Sequence, residues 1–132
     1  MNSRIHILFS IVAVLFTSLS NGQGLVNDSA FLVLNNGATI YIDGPGGHFK
    51  NERSGRISSG ATDTIKLKGN WINDATNEVL SSNDGVIELL GADQFIGGAN
   101  STSFNSLVLS GSGIKTLNTP TTIGGGYPSP NG

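Results

Sequence analysis

The sequence predicts an all-β protein, a short right-handed parallel β-helix of about four to five coils with roughly 25 residues in each. Three observations point there. Glycine supplies 19 of 132 residues and Asn, Ser and Thr are abundant, while the helix builders Glu, Lys and Ala are sparse. Turn signals, a small polar residue followed by Gly, recur at Asn36-Gly37, Ser59-Gly60, Asp84-Gly85 and Ser112-Gly113, with spacings of 23, 25 and 28 residues. A second motif, G-x-aromatic-x-N, stands at Gly47-His-Phe-Lys-Asn51 and again 22 residues later at Gly69-Asn-Trp-Ile-Asn73. Two motifs that share nearly one period fit stacked coils. A small β-sandwich also has short strands and frequent turns, and is the alternative architecture.

Taken from the N-terminus, residues 1–22 read as a secretory signal peptide. Arg4 supplies the positive charge, an apolar run extends from Ile5 to Leu19, and the small residues Ser20 and Gly22 precede a cut before Gln23. The run is too short, and too soon followed by polar residues, to anchor the chain in a bilayer. Residues 23–123 are the expected solenoid domain. Its turn signals lead into the β-like runs Gly37-Ala-Thr-Ile-Tyr-Ile42, Gly60-Ala-Thr-Asp-Thr-Ile-Lys-Leu67, Gly85-Val-Ile-Glu-Leu-Leu90 and Gly113-Ile-Lys-Thr-Leu117. Alternation within these runs predicts inward ladders of Ile40 and Ile42, Ile65 and Leu67, and Val86 and Leu90, with Phe49 and Trp71 also inward. Gly and Asn belong at the corners, where stacked Asn side chains can bond one another.

The last strand-like run ends near Ile123. Residues 124–132, Gly-Gly-Gly-Tyr-Pro-Ser-Pro-Asn-Gly, have linker chemistry and are expected to be disordered. No amphipathic cap follows the final coil, so its open edge near Leu117 is expected to associate with another chain, and the sequence reads as the front portion of something longer.

The runs Gly69-Asn-Trp-Ile-Asn73, Gly85-Val-Ile-Glu-Leu-Leu-Gly91, Gln94-Phe-Ile-Gly-Gly98 and Thr102-Ser-Phe-Asn-Ser-Leu-Val-Leu109 carry a family pattern. Through them the chain resembles the β-helical adhesin-like surface proteins secreted by Bacteroidetes. The resemblance spans roughly residues 25–117. It implies a large cell-surface or released protein with a role in adhesion or polymer contact, usually ending in a sorting domain for the type IX secretion route. No such domain occurs in this sequence.

Composition narrows the chemistry. Without residues 1–22 the chain has six Lys and Arg against nine Asp and Glu, a mildly acidic balance with no basic stripe for nucleic acid. There is no cysteine, so burial and backbone hydrogen bonding must hold the fold. His48 is the one histidine beyond the signal peptide. A nucleophilic triad would have to use it, yet alternation places it as an outward neighbour of Phe49, on the surface. One His without Cys excludes an ordinary structural zinc site. Asp43, in Tyr41-Ile-Asp-Gly-Pro-Gly-Gly47, lacks calcium-loop spacing and reads as a corner residue capping its own backbone.

Asp63, Lys66, Lys68 and Glu88 could serve a polysaccharide-cleaving β-helix, but no visible rule groups them, and Lys66 and Lys68 share a solvated strand face. Lys50-Asn-Glu-Arg-Ser-Gly-Arg56 reads as a loop of mixed charge. Asn27-Asp-Ser29 and Asn100-Ser-Thr102 match the glycan acceptor pattern by composition.

No catalytic residue, cofactor or metal site is therefore expected. The function expected is that of an exported, non-enzymatic module, adhesin-like or structural at the cell surface, with a polysaccharide or other surface polymer as partner. The alternative is a fragment of a carbohydrate-active β-helix enzyme whose catalytic part is missing.

Overall fold

Apolar residues at alternate positions, repeated once per coil, can be buried only if the coils stack with equivalent strands side by side. The computed structural model has that arrangement. It describes residues 24–44, 46–76, 79–80 and 85–124; the expected signal peptide and residues 125–132 of the tail lie outside these. The first coil comprises β1 (Leu25–Asp28), β2 (Phe31–Val33) and β3 (Thr39–Ile42), and the second β4 (Phe49–Arg53), β5 (Arg56–Ser58) and β6 (Thr64–Leu67). The third holds β7 (Trp71–Ala75) and β8 (Val86–Leu89), with Leu80 bridged to Ile57 between them. Next come β9 (Gln94–Gly97), β10 (Thr102–Phe104) and β11 (Ser106–Leu109), and then β12 (Lys115–Leu117) and β13 (Thr121–Ile123) begin a fifth coil.

The strands form a five-stranded sheet in the order β1-β4-β7-β9-β12, a four-stranded sheet β3-β6-β8-β11, and the pairs β2-β5 and β10-β13. Every pairing is parallel. The chain is a β-solenoid of about four turns. A sandwich of antiparallel hairpins is excluded. Among the described residues there is no helix long and apolar enough to cross a membrane.

The predicted register holds where the sequence repeats. Phe49 pairs with Trp71 and Asn51 with Asn73, so the G-x-aromatic-x-N motifs are stacked copies of one another. Leu25 and Asn27 extend the same rows into the first coil. Both aromatic side chains are fully buried, and Trp71 also meets Phe104 edge-on at 5.2 Å. The indole Nε1–H of Trp71 donates to Thr102 Oγ1 at 3.2 Å, which satisfies its polar atom inside the core.

The second sheet supplies the rows Ile40, Ile65, Ile87, Leu107 and Ile42, Leu67, Leu89, Leu109. Here one expectation fails by a single residue. Ile87 and Leu89 point inward, while Val86 and Leu90 are half-buried on the other face. The reason is Glu88: it stands beside Lys66 and pairs with it outside the core, and a one-residue slip of β8 would bury its charge and leave Lys66 without a partner.

A second correction concerns Lys50-Asn-Glu-Arg-Ser-Gly-Arg56, which is not a loop. It forms β4 and the start of β5, because Phe49 and Asn51 turn inward while Lys50 and Glu52 turn out. Asn27 and Asn51 are buried and bonded, Nδ2 to Oδ1, at 2.8 Å, and Asn51 Nδ2 donates to the Gly55 carbonyl at 2.7 Å. The Asn27 acceptor triplet is thus closed off by the inner ladder, whereas Asn100 is exposed.

Corners use glycine for two reasons. At Asn36-Gly37 the backbone is left-handed at both residues, φ 62° and 75°. At Gly85 a Cβ would come within 2.0 Å of the Asp63 carbonyl oxygen, so the tight approach of consecutive coils leaves no room for a side chain.

Candidate binding surface

Parallel, in-register stacking places outward side chains of equivalent position in columns across the coils. Two columns on the five-stranded sheet have distinct chemistry. In the first, Asp28, Glu52 and Asp74 stand side by side on β1, β4 and β7. Their repulsion is offset by Lys50, which pairs with Glu52 and with Asp74 at 3.4 Å, and by Arg53, 3.1 Å from Asp28. Contact with Glu52 and then Asp74 holds the Lys50 ammonium above its ordinary pKa.

The second column runs through His48, Asn70, Phe95 and Thr116. His48 is half-buried, and its Nδ1 accepts the Asn70 N–H at 2.8 Å. Asn70 Oδ1 in turn accepts the Phe95 N–H at 2.9 Å. His48 thus faces outward as expected but is tied into the next coil. The Phe95 ring lies against Gly97, where a Cβ would stand 3.1 Å from the ring and 3.4 Å from Asn118 Cβ. Gly97 makes room for an aromatic plate lying along the sheet.

Around that plate opens a cleft of about 390 Å³ lined by Asn70, Asp93, Phe95, Ile114, Thr116 and Asn118. A second cleft of about 360 Å³, lined by Asp43, Lys68, Ala92 and Asp93, adjoins it and shares Asp93. Asp93 Oδ1 accepts the Ile114 N–H at 2.8 Å, which fixes the carboxylate between the two. Asp43 accepts the Gly44 N–H at 2.6 Å, the self-capping corner expected from the sequence, and pairs with Lys68 at 2.8 Å. Lys68 first and the Gly44 N–H second hold the Asp43 carboxyl below its ordinary pKa. Asp43 and then Tyr41 raise that of Lys68.

Of the four residues considered for polysaccharide cleavage, Lys66 and Glu88 are brought together as an ion pair, whereas Asp63 and Lys68 have other partners. Asp63 is buried, not exposed. Its carboxylate accepts the N–H of Ala38 at 2.8 Å and of Gly60 at 2.6 Å, clamping a corner of one coil to the next. Lys66 holds Glu88 at 3.1 Å, and Ser110 Oγ–H donates to Glu88 at 2.7 Å. These two contacts, the hydroxyl before the ammonium, keep the Glu88 carboxyl below its ordinary pKa. Lys68 is committed to Asp43. Among the described residues no three His, Asp or Glu side chains converge as metal ligands would.

Phe95 and Asn118 received no functional weight in the sequence. Phe95 had a signal: alternation in Gln94-Phe-Ile96 turns it outward once Ile96 is inward, and Gly97 follows. Asn118 had none, because it meets Phe95 only through the stacking of β12 on β9.

No protein-family model, curated protein or solved structure matches this chain. What it does must be read from its own residues.

Proposed function

We propose that the chain is an exported, non-enzymatic β-solenoid module, adhesin-like or structural at the cell surface, whose outward columns make contact with a surface polymer. The observation that supports this reading is how the candidate acids and bases are used. Asp63 clamps a corner, Glu88 is held by Lys66 and Ser110, and Lys68 is held by Asp43. Acid–base catalysis needs two titratable groups aimed at one reacting bond, with environments that push their pKa values apart. Here the groups aim at each other or at the backbone.

The same reading includes association with a second copy through the C-terminal end. Leu109, Leu117 and Ile123 occupy the rows of the buried Leu89, Ile96 and Phe104, yet are 53%, 61% and 45% exposed. They lie on β11, β12 and β13, each at a sheet edge. The first coil of another copy offers β3 and β1, with Ile42 in the row of Leu109 and Leu25 in the row of Leu117.

The test is intact mass and activity of secreted chain, which should begin at Gln23 and should turn over no glycan, ester or peptide. Reproducible turnover, abolished by one Asp or Lys substitution, overturns it.

A further inference from the structure

We infer that the two joined clefts, from Asp43 and Lys68 past Asp93 to Phe95 and Asn118, bind a neutral glycan chain. The proposal rests on the module reading above and supplies its ligand class. A sugar ring has an aliphatic C–H face and a rim of hydroxyls. Phe95 and Ile114 offer apolar surface for the face, and Ile114 is 71% exposed in the cleft wall. The amides of Asn70 and Asn118, the hydroxyl of Thr116 and the carboxylate of Asp93 offer donors and acceptors for the rim.

Two features restrict the ligand further. Because both clefts share Asp93, the surface is longer than one sugar and suits a linear chain. Charge at the clefts gives no cationic site for an acidic polymer: Lys68 is neutralised by Asp43, the Lys115 ammonium is taken up by the carbonyls of Gly91, Ala92 and Ser112, and among the described residues no cation forms an ion pair with Asp93. A uronate or sulfate would meet that carboxylate with like charge, whereas neutral hydroxyls can donate to it. The wall is also set before any ligand arrives. Asp93 is fixed by the Ile114 N–H and Asn70 by the Phe95 N–H, and Gly97 leaves space for the Phe95 ring beside it.

The test is native affinity electrophoresis of the full secreted chain in gels containing a neutral β-glucan, mannan, xylan or α-glucan, with polygalacturonate and alginate as acidic comparisons. Retardation is expected in at least one neutral gel and in neither acidic one. Phe95→Ala should weaken it about tenfold, Phe95→Trp should keep it, and Thr122→Ala, on another sheet, should leave it unchanged. A native far-ultraviolet circular dichroism spectrum and unfolding midpoint in each variant show that the stack is intact. No retardation in any neutral gel, retardation undiminished in Phe95→Ala, or stronger retardation in polygalacturonate would overturn the glycan lane. Polymer shortened in the gel would instead overturn the non-enzymatic reading, so the two failures are distinct.

Discussion

Phe49 and Trp71 occupy the same register position in consecutive coils, and their rings stack with centroids 4.4 Å apart and planes 26° from parallel. The contact joins the G-x-aromatic-x-N repeat to the packing that makes the repeat worthwhile. Trp71→Ala removes the largest buried side chain and orphans Thr102 Oγ1. The cost should be about 3–5 kcal/mol, a large part of the ~5–15 kcal/mol by which a small domain is usually stable. Denaturant unfolding followed by circular dichroism checks it. An unchanged midpoint, or a native tryptophan emission typical of water, would show that Trp71 is not in the core.

Asn51 tests the polar ladder inside the stack. Asn51→Ala leaves the Gly55 carbonyl without its side-chain donor and takes from Asn27 its 2.8 Å acceptor, both in a buried setting. A loss of about 1–3 kcal/mol is expected. The matching change at the exposed Asn100 should cost less than about 0.5 kcal/mol. Equal effects at the two positions would mean that the ladder contributes nothing.

Much of this fold was legible because the sequence repeats itself. The turn signals at Gly37, Gly60 and Gly85, which lead into β3, β6 and β8, and the match between Phe49 and Trp71 carry the approximate coil length and the inner row of the first sheet. Ser112-Gly113 leads instead into β12 on the five-stranded sheet, so the fourth signal is out of phase with the other three. Phase was harder where neighbours are chemically alike. In Val86-Ile-Glu-Leu-Leu90 four aliphatic residues fit either face, and only Glu88, once paired with Lys66, fixes which two are inside. Lys50 to Arg56 looked like a loop because its charges masked the inward Asn51, whose burial depends on Asn27 in the preceding coil. The cleft was illegible for a related reason. It combines Asp93, Phe95 and Asn118 from two successive coils, and no local pattern records that meeting.

The Glu88 contacts predict a pH dependence. Its folded pKa is depressed, by Ser110 and then Lys66, from an ordinary value of 4.5. The unfolded chain therefore takes up this proton at higher pH than the folded one. The stabilisation is present in full above the ordinary value and is lost as pH falls through it toward the folded value. The contribution is less than about 1 kcal/mol, since Lys66 is well exposed. Glu88→Gln should lower Tm near neutral pH and narrow the Tm difference between about pH 7 and about pH 3. An unaltered difference would indicate that Glu88 gains nothing from its partners.

The central claim is that equivalent residues of successive coils lie side by side in parallel register, and the absence of cysteine makes it directly measurable. Thr39 and Thr64 face outward as register partners on β3 and β6, while Ser106 lies three strands from Thr39 in the same column. Adjacent strands are about 4.8 Å apart, within disulfide reach, and three strand steps are about 14 Å, beyond it. Under mild oxidation the Thr39→Cys, Thr64→Cys pair should close an intramolecular disulfide, and the Thr39→Cys, Ser106→Cys pair should remain reduced. Ready closure of the second pair, or failure of the first in a folded chain, would contradict the stacked solenoid.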